Sequence, residues 1–231
     1  MNKKLMLLVA GALAALAFTA LPGAASAKET KLKCEGAGAC TYTVSGSVSE
    51  FSLLKGDTVK CESVTGTGTV TGLNAEREST TSTVELLFHS CKEQITPFHF
   101  ACSSAAQPSG TVTTNPLVAH TIALPGSTSE AGVLLTGTSV TFTCAGGFAS
   151  TQVTGSAIGE IESKCNTNTG LTQKLNFTAT AHGTQTFRTY TGASADLEGK
   201  TSHTGGGSYE TAAQTGKGTL TFNQNVILTC A

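Results

Sequence analysis

Apolar and polar residues alternate with a period of two along much of the chain. Val84, Leu86 and Phe88 share one parity against Thr83, Glu85, Leu87 and His89, and Val140, Phe142 and Cys144 stand against Thr141 and Thr143. A period of two puts successive side chains on opposite faces, so these stretches read as half-buried strands. Leu175, Phe177, Ala179 and Ala181 repeat the pattern against Lys174, Asn176, Thr178, Thr180 and His182. Leu220, Phe222, Val226, Leu228 and Cys230 fall on one parity, with Gln224 interrupting them as a candidate bulge. No window beyond the first 27 residues sustains a helical period. The 26 glycines and 40 threonines favour strands and tight turns over helices. The expectation is an all-β antiparallel β-sandwich, with a closed β-barrel as the alternative. Residues 28–231 read as a single β-domain, and the Gly/Thr-rich stretch around 191–218 reads as a flexible loop before the last strand.

The first 27 residues follow a different rule. Lys3 and Lys4 precede an apolar run from Leu5 to Leu21, then Pro22, Gly23 and the small-residue triplet Ala25, Ser26, Ala27. This is the layout of a secretory signal peptide cleaved after Ala27. The expected localisation is therefore secreted, extracellular or in the cell envelope, with no membrane span after cleavage. Without Lys3 and Lys4, 12 basic side chains stand against 15 acidic ones, a net charge of −3. That balance gives no electrostatic reason to expect nucleic acid as a partner.

All eight cysteines lie beyond the triplet, and an even count in an exported chain reads as four disulfides. Strand parity suggests which. If 61–72 and 83–91 form an antiparallel pair, Cys61 and Cys91 meet at its outer end, both off the apolar face, and close a loop stabilising the fold by roughly 3 to 4 kcal/mol. Cys102 keeps step with Phe98 and Phe100 and Cys144 with Phe142, which pairs them on the apolar side. Cys165 keeps step with Ile161 and Cys230 with Leu228. Cys34 and Cys40 remain, closing a short loop. The stretch from His89 to Cys102 also offers His89, Cys91, His99 and Cys102 as metal ligands, but an extended chain puts His99 opposite Cys102, so no metal and no cofactor is expected.

Catalytic constellations are weak. Only Asp57 and Asp196 follow the leader, no G-x-S-x-G elbow is present, and His203 before Gly205-Gly206-Gly207 is explained by loop composition. Glu62, Glu85, Glu160 and Glu162 are scattered carboxylates from which a secreted hydrolase could build a site, though nothing selects a pair. No catalytic residue is assigned.

Five segments carry a resemblance: VKCESVTGTGTVTG (59–72), FHSCKE (88–93), QPSGTVTTNPL (107–117), GVLLTGTSVTFTCAGG (132–147) and VTGSAIG (153–159). Over roughly residues 55 to 190 the chain resembles uncharacterised exported cysteine-containing β-proteins of actinobacterial genomes. The resemblance implies export and a cysteine-stapled β-fold, with Cys61, Cys91, Cys102 and Cys144 as the recurring cysteines. It implies no activity, ligand or site residue.

Threonine spacing supplies the candidate contact face. Thr65, Thr67, Thr69 and Thr71 lie on one face of one strand, about 7 Å apart. Thr41/Thr43, Thr111/Thr113, Thr141/Thr143, Thr178/Thr180, Thr184/Thr186 and Thr219/Thr221 repeat the spacing. The expected function is a non-catalytic binding or structural module whose Thr65–Thr71 face contacts a surface, a hydroxyl-rich polymer or a partner protein. Ordering of water on an ice or crystal surface is the outlying reading.

Overall fold

The computed structural model describes residues 30–55, 58–95, 98–124, 127, 129–144, 149–168, 170–190, 193–202 and 208–230; the expected signal peptide at 1–27 lies outside them. The strands run β1 (Thr30–Cys34), β2 (Thr41–Leu53), β3 (Thr58–Cys61), β4 (Ser63–Thr71), β5 (Glu78–Ser79), β6 (Thr81–His89) and β7 (Lys92–Ile95). Then come β8 (Phe98–Ser103), β9 (Val112–Thr113), β10 (Leu117–Ala123), β11 (Ala131–Cys144), β12 (Ala149–Ile161), β13 (Thr167–Asn168) and β14 (Thr172–Phe177). The chain closes with β15 (Ala179–Ala181), β16 (Thr184–Gln185), β17 (Thr189–Tyr190), β18 (Ala193–Ser194), β19 (Leu197–Ser202), β20 (Glu210–Phe222) and β21 (Val226–Cys230).

The fold is all-β and antiparallel, as the alternation requires. It is built as a sandwich whose layers are stitched along their edges. The main sheet follows the path β10-β6-β4-β2-β3-β7-β8-β11-β12-β14-β20-β19, and three further pairings, β10–β11, β2–β20 and β12–β19, close it on itself. Two rings of eight strands result. One runs β10-β6-β4-β2-β20-β14-β12-β11, the other β2-β3-β7-β8-β11-β12-β19-β20, and the long strands β2, β11, β12 and β20 belong to both. Closure pairs strand edges that would otherwise be open to other chains. The small sheet β13-β21-β1-β5 caps the first ring, with Leu32 facing its interior and Val226 and Leu228 fully buried against the common core.

Where the rings meet, the inward parity shifts. On β2 the buried set changes from Tyr42 and Val44 to Ser49, Phe51 and Leu53 across a register break between Gly46 and Ser49. On β11 it changes from Val133 and Leu135 to Val140 and Phe142 across a break between Leu135 and Thr138. The paired segments β3–β4 and β6–β7 shift together, from Val59 and Cys61 to Val64 and from Phe88 to Cys91, with Ser90 at a φ of 53°. This corrects one expectation. Cys61 and Cys91 do not lie off the apolar face: both are fully buried, because the break at Glu62 and Ser90 turns them inward.

Three other expectations change. Much of the stretch 191–218 forms strands β19 and β20, anchored by buried Leu197, Ala212 and Ala213; residues 191, 192 and 203–207, including His203, lie outside the described residues. Small residues that resemble loop composition here serve as inward positions of a crowded sheet. Gln224 sits between β20 and β21 rather than in a bulge, so the single parity from Leu220 to Cys230 belongs to two strands in two sheets. Ala179 and Ala181 leave the core after Phe177 and pair with Thr184 and Gln185 in a separate hairpin.

The disulfides join Cys34 to Cys40, Cys61 to Cys91, Cys102 to Cys144 and Cys165 to Cys230, and no described cysteine is free. Four disulfides fit an oxidising extracellular environment. Among the described residues no helix is long and apolar enough to cross a membrane.

Alternating glycines on β4 explain the TGTGTVTG run. The inward positions are Val64, Gly66, Gly68 and Val70, and a Cβ on Gly68 would sit 2.2 Å from the Tyr42 ring. The missing side chain lets Tyr42 lie across β4, where its ring meets Phe222 at 5.1 Å and its hydroxyl pairs with Ser82 Oγ at 3.0 Å. Burial raises the Tyr42 phenol above its ordinary value, and the Ser82 hydrogen bond partly offsets this. A phenol raised in the folded state keeps its contribution below the ordinary tyrosine value and loses it as pH climbs through the folded one. Stability should therefore fall in strong alkali, and Tyr42→Phe should flatten that decline. Urea midpoints measured against pH on both proteins test it, and identical alkaline slopes would refute it.

Candidate functional site

The outer face of β4 carries Thr65, Thr67, Thr69 and Thr71, with Thr65 and Thr67 exposed and the other two half-buried. The pairing registers bring other threonines alongside. Thr43 lies opposite Thr67 on one side and Thr221 on the other, Thr221 lies opposite Thr172, and Glu85 flanks Thr67 on β6. This makes one transverse rank across five strands: Thr172, Thr221, Thr43, Thr67, Glu85. A second rank runs Thr41, Thr69, Thr83, joined at one end to Asn223, whose Oδ1 accepts the Thr41 N–H at 3.0 Å. A third runs Lys174, Thr219, Ser45, Thr65, Leu87. Neighbours are about 4.8 Å apart across strands and about 7 Å apart along them.

The ranks floor a depression of about 580 Å3, lined by Thr41, Thr43, Thr67, Thr69, Thr83 and Thr221 with Glu85, Asn223 and Pro116 at its margins. Hydrogen bonding divides the face. At its ends the hydroxyls are engaged: Thr65 Oγ1 lies 2.8 Å from His89 Nε2, and Thr71 Oγ1 lies 3.2 Å from Thr81 Oγ1. In the middle, the hydroxyls of Thr43, Thr67, Thr69, Thr83 and Thr221 make no hydrogen bond among the described residues. Each hydroxyl offers one donor and two acceptor sites, so the centre of the face is a lattice of free hydrogen-bonding groups.

Of the repeated threonine pairs, only Thr41/Thr43, beside the β4 ladder, and Thr219/Thr221, one strand further out, join its face as pairs. Thr141/Thr143 stand on the far half of β11 opposite Gln152 and Ser150, and Thr178 bonds Thr186 in the separate hairpin. Thr113 alone of its pair reaches the third rank, opposite Leu87. Thr83, Thr172 and Ser45 belong to the face but do not stand out in the sequence, because only the register reveals them.

The other candidates disperse. His89 bonds Thr65, Cys91 and Cys102 are in different disulfides, and no group of three metal-ligating side chains occurs among the described residues. Glu85 borders the depression, Glu160 lies on β12 opposite Asn176, Glu162 follows that strand, and Glu62 sits in the break between β3 and β4. Asp196 is held by Arg188, whose Nη2 reaches Oδ1 at 2.6 Å, and Asp57 lies outside the described residues.

No family model, curated protein or solved structure matches this chain.

Proposed function

We propose that the protein is a non-catalytic, exported binding module that holds a neutral, hydroxyl-rich polymer, such as an envelope polysaccharide, in the depression over β20, β2, β4 and β6. The observation that carries this reading is the set of exposed, unengaged hydroxyls in register at its centre. A strand-borne threonine hydroxyl costs little conformational entropy to fix, since the β-branched side chain is already restricted. Hydroxyls that both donate and accept match a partner of the same kind. Because the lattice is concave, it suits a chain lying in it better than a planar crystal surface, which ranks the ordering of water second. Without exposed aromatic rings in the ranks each contact is weak, so binding relies on many repeats along the polymer.

Thr43→Lys together with Thr67→Lys should abolish co-sedimentation of the protein with isolated cell-envelope polysaccharide, while circular dichroism and melting stay as in the parent. Two long ammonium side chains would fill the middle rank without touching the core. Undiminished co-sedimentation would assign the threonines to solvation of the sheet alone.

A further inference from the structure

All eight strands of the first ring send side chains toward a cavity of about 90 Å3 that is walled almost wholly by hydrocarbon, including Val44, Val64, Val84, Leu135 and Phe177. In the second ring, the pocket between Phe51, Phe142 and their neighbours is far smaller, about 10 Å3. An unfilled apolar volume is destabilising in proportion to its size, and folded interiors normally close it.

The cavity also has a thin wall. Leu175, Lys217 and Gly218 line both the interior and an outer depression of about 570 Å3 that contains Lys174, Glu162, Ser45 and Ser47. At this place β2 and β20 lose their pairing between Gly46 and Ser49. Gly216 and Gly218 put no side chain on this stretch of wall. A Cβ on Gly218 would lie 3.6 Å from Ser45 O and 4.0 Å from Val44 Cγ1, both at ordinary contact distance. Outside, Lys174 and Lys217 are exposed on one face as diagonal neighbours on paired strands, with Glu162 as the one acidic group lining the same depression.

We propose that the first ring binds a short-chain carboxylate, its hydrocarbon tail in the cavity and its carboxylate outside the register break between Gly46 and Ser49, against Lys174 and Lys217. The volume is below the roughly 150 Å3 of an apolar cavity that takes up benzene, which restricts the tail to a few carbons. Two ammonium groups against one carboxylate select an anionic head over a cationic one. The outer depression of this site adjoins the third rank of the threonine face, sharing Lys174 and Ser45 with it, but it has no residue in common with the depression over the middle ranks.

The test uses the mature protein with its disulfides intact, labelled at Val and Leu methyls, titrated with valerate, 1-pentanol and pentylamine. Valerate should give saturable shifts at Val44, Val64, Val84 and Leu135, and should bind roughly tenfold more tightly than 1-pentanol. Lys174→Gln with Lys217→Gln should bring valerate down to the alcohol's affinity. Gly218→Val places its Cβ at ordinary contact distance beside Val44 and adds methyl groups to the cavity wall, so it should keep the fold, raise the melting temperature and abolish the shifts. Absence of saturable shifts, shifts that persist in Gly218→Val, or equal affinity for valerate and either of the other two ligands would overturn the proposal, the last leaving a packing void only.

Discussion

Complete reduction of the four disulfides should unfold this protein at room temperature in neutral buffer. The bridges span 6, 30, 42 and 65 residues. On the chain-entropy account these are worth roughly 2, 4, 4 and 4 kcal/mol, about 14 kcal/mol together. The four loops follow one another along the chain and none encloses another, so their effects on the unfolded state add with little correction. A domain of this size has a net stability of about 5 to 15 kcal/mol, and losing a term of that order leaves nothing in reserve. Burial adds to the effect: six of the eight cysteines, from Cys34 to Cys144, are at most 1 % exposed, so reduction also asks the core to accommodate thiols where a bond had drawn two sulfurs together. The check is far-ultraviolet circular dichroism and amide exchange on protein whose eight thiols are shown free by alkylation and mass. A native spectrum and a cooperative melt in that material would refute the assignment of stability to the bridges.

The same bridges show what the sequence made legible. Antiparallel pairing of 61–72 with 83–91 placed Cys61 opposite Cys91, and the registers Val64 with Phe88 and Val59 with Glu93 continue through that point on either side. Pairing depends on the register sum, which a simultaneous break in both strands leaves unchanged. Facing does not survive such a break, so the burial of Cys61 and Cys91 could not be read from parity counted across Glu62 and Ser90. The strands with uniform alternation, β4, β6 and β14, were evident for the same reason that β19 and the first half of β20 were not: Ala212, Ala213, Gly216 and Gly218 carry inward positions without apolar bulk. The threonine face was half legible. The ladder on β4 follows from sequence spacing, whereas the ranks through Thr43 and Thr221 depend on β2 lying between β4 and β20, a long-range contact that no local pattern encodes.

Substitution of Gly155 by alanine should destabilise the fold by about 3 to 5 kcal/mol, and its partner across the break shows why. Gly137 lies in the register break of β11, and Gly155 faces that break from β12, opposite Thr138. Their φ angles are 76° and 110°, both in the region that L-residues avoid. They differ in surroundings. A Cβ on Gly137 would meet nothing within 4 Å, whereas one on Gly155 would lie 2.2 Å from the carbonyl oxygen of Asp196. That oxygen accepts the Ser156 N–H at 2.9 Å, and the Asp196 carboxylate is tied to Arg188, so the backbone that would have to move is fixed from two sides. Gly137→Ala meets only the conformational term and should cost about 1 kcal/mol. Gly155→Ala meets that term and must also part β12 from the segment leading into β19, where the second ring closes. Urea denaturation of the two variants separates these contributions. Equal midpoints would mean that the close approach of Asp196 to Gly155 does not constrain the strand, and that the closure of the second ring is held elsewhere.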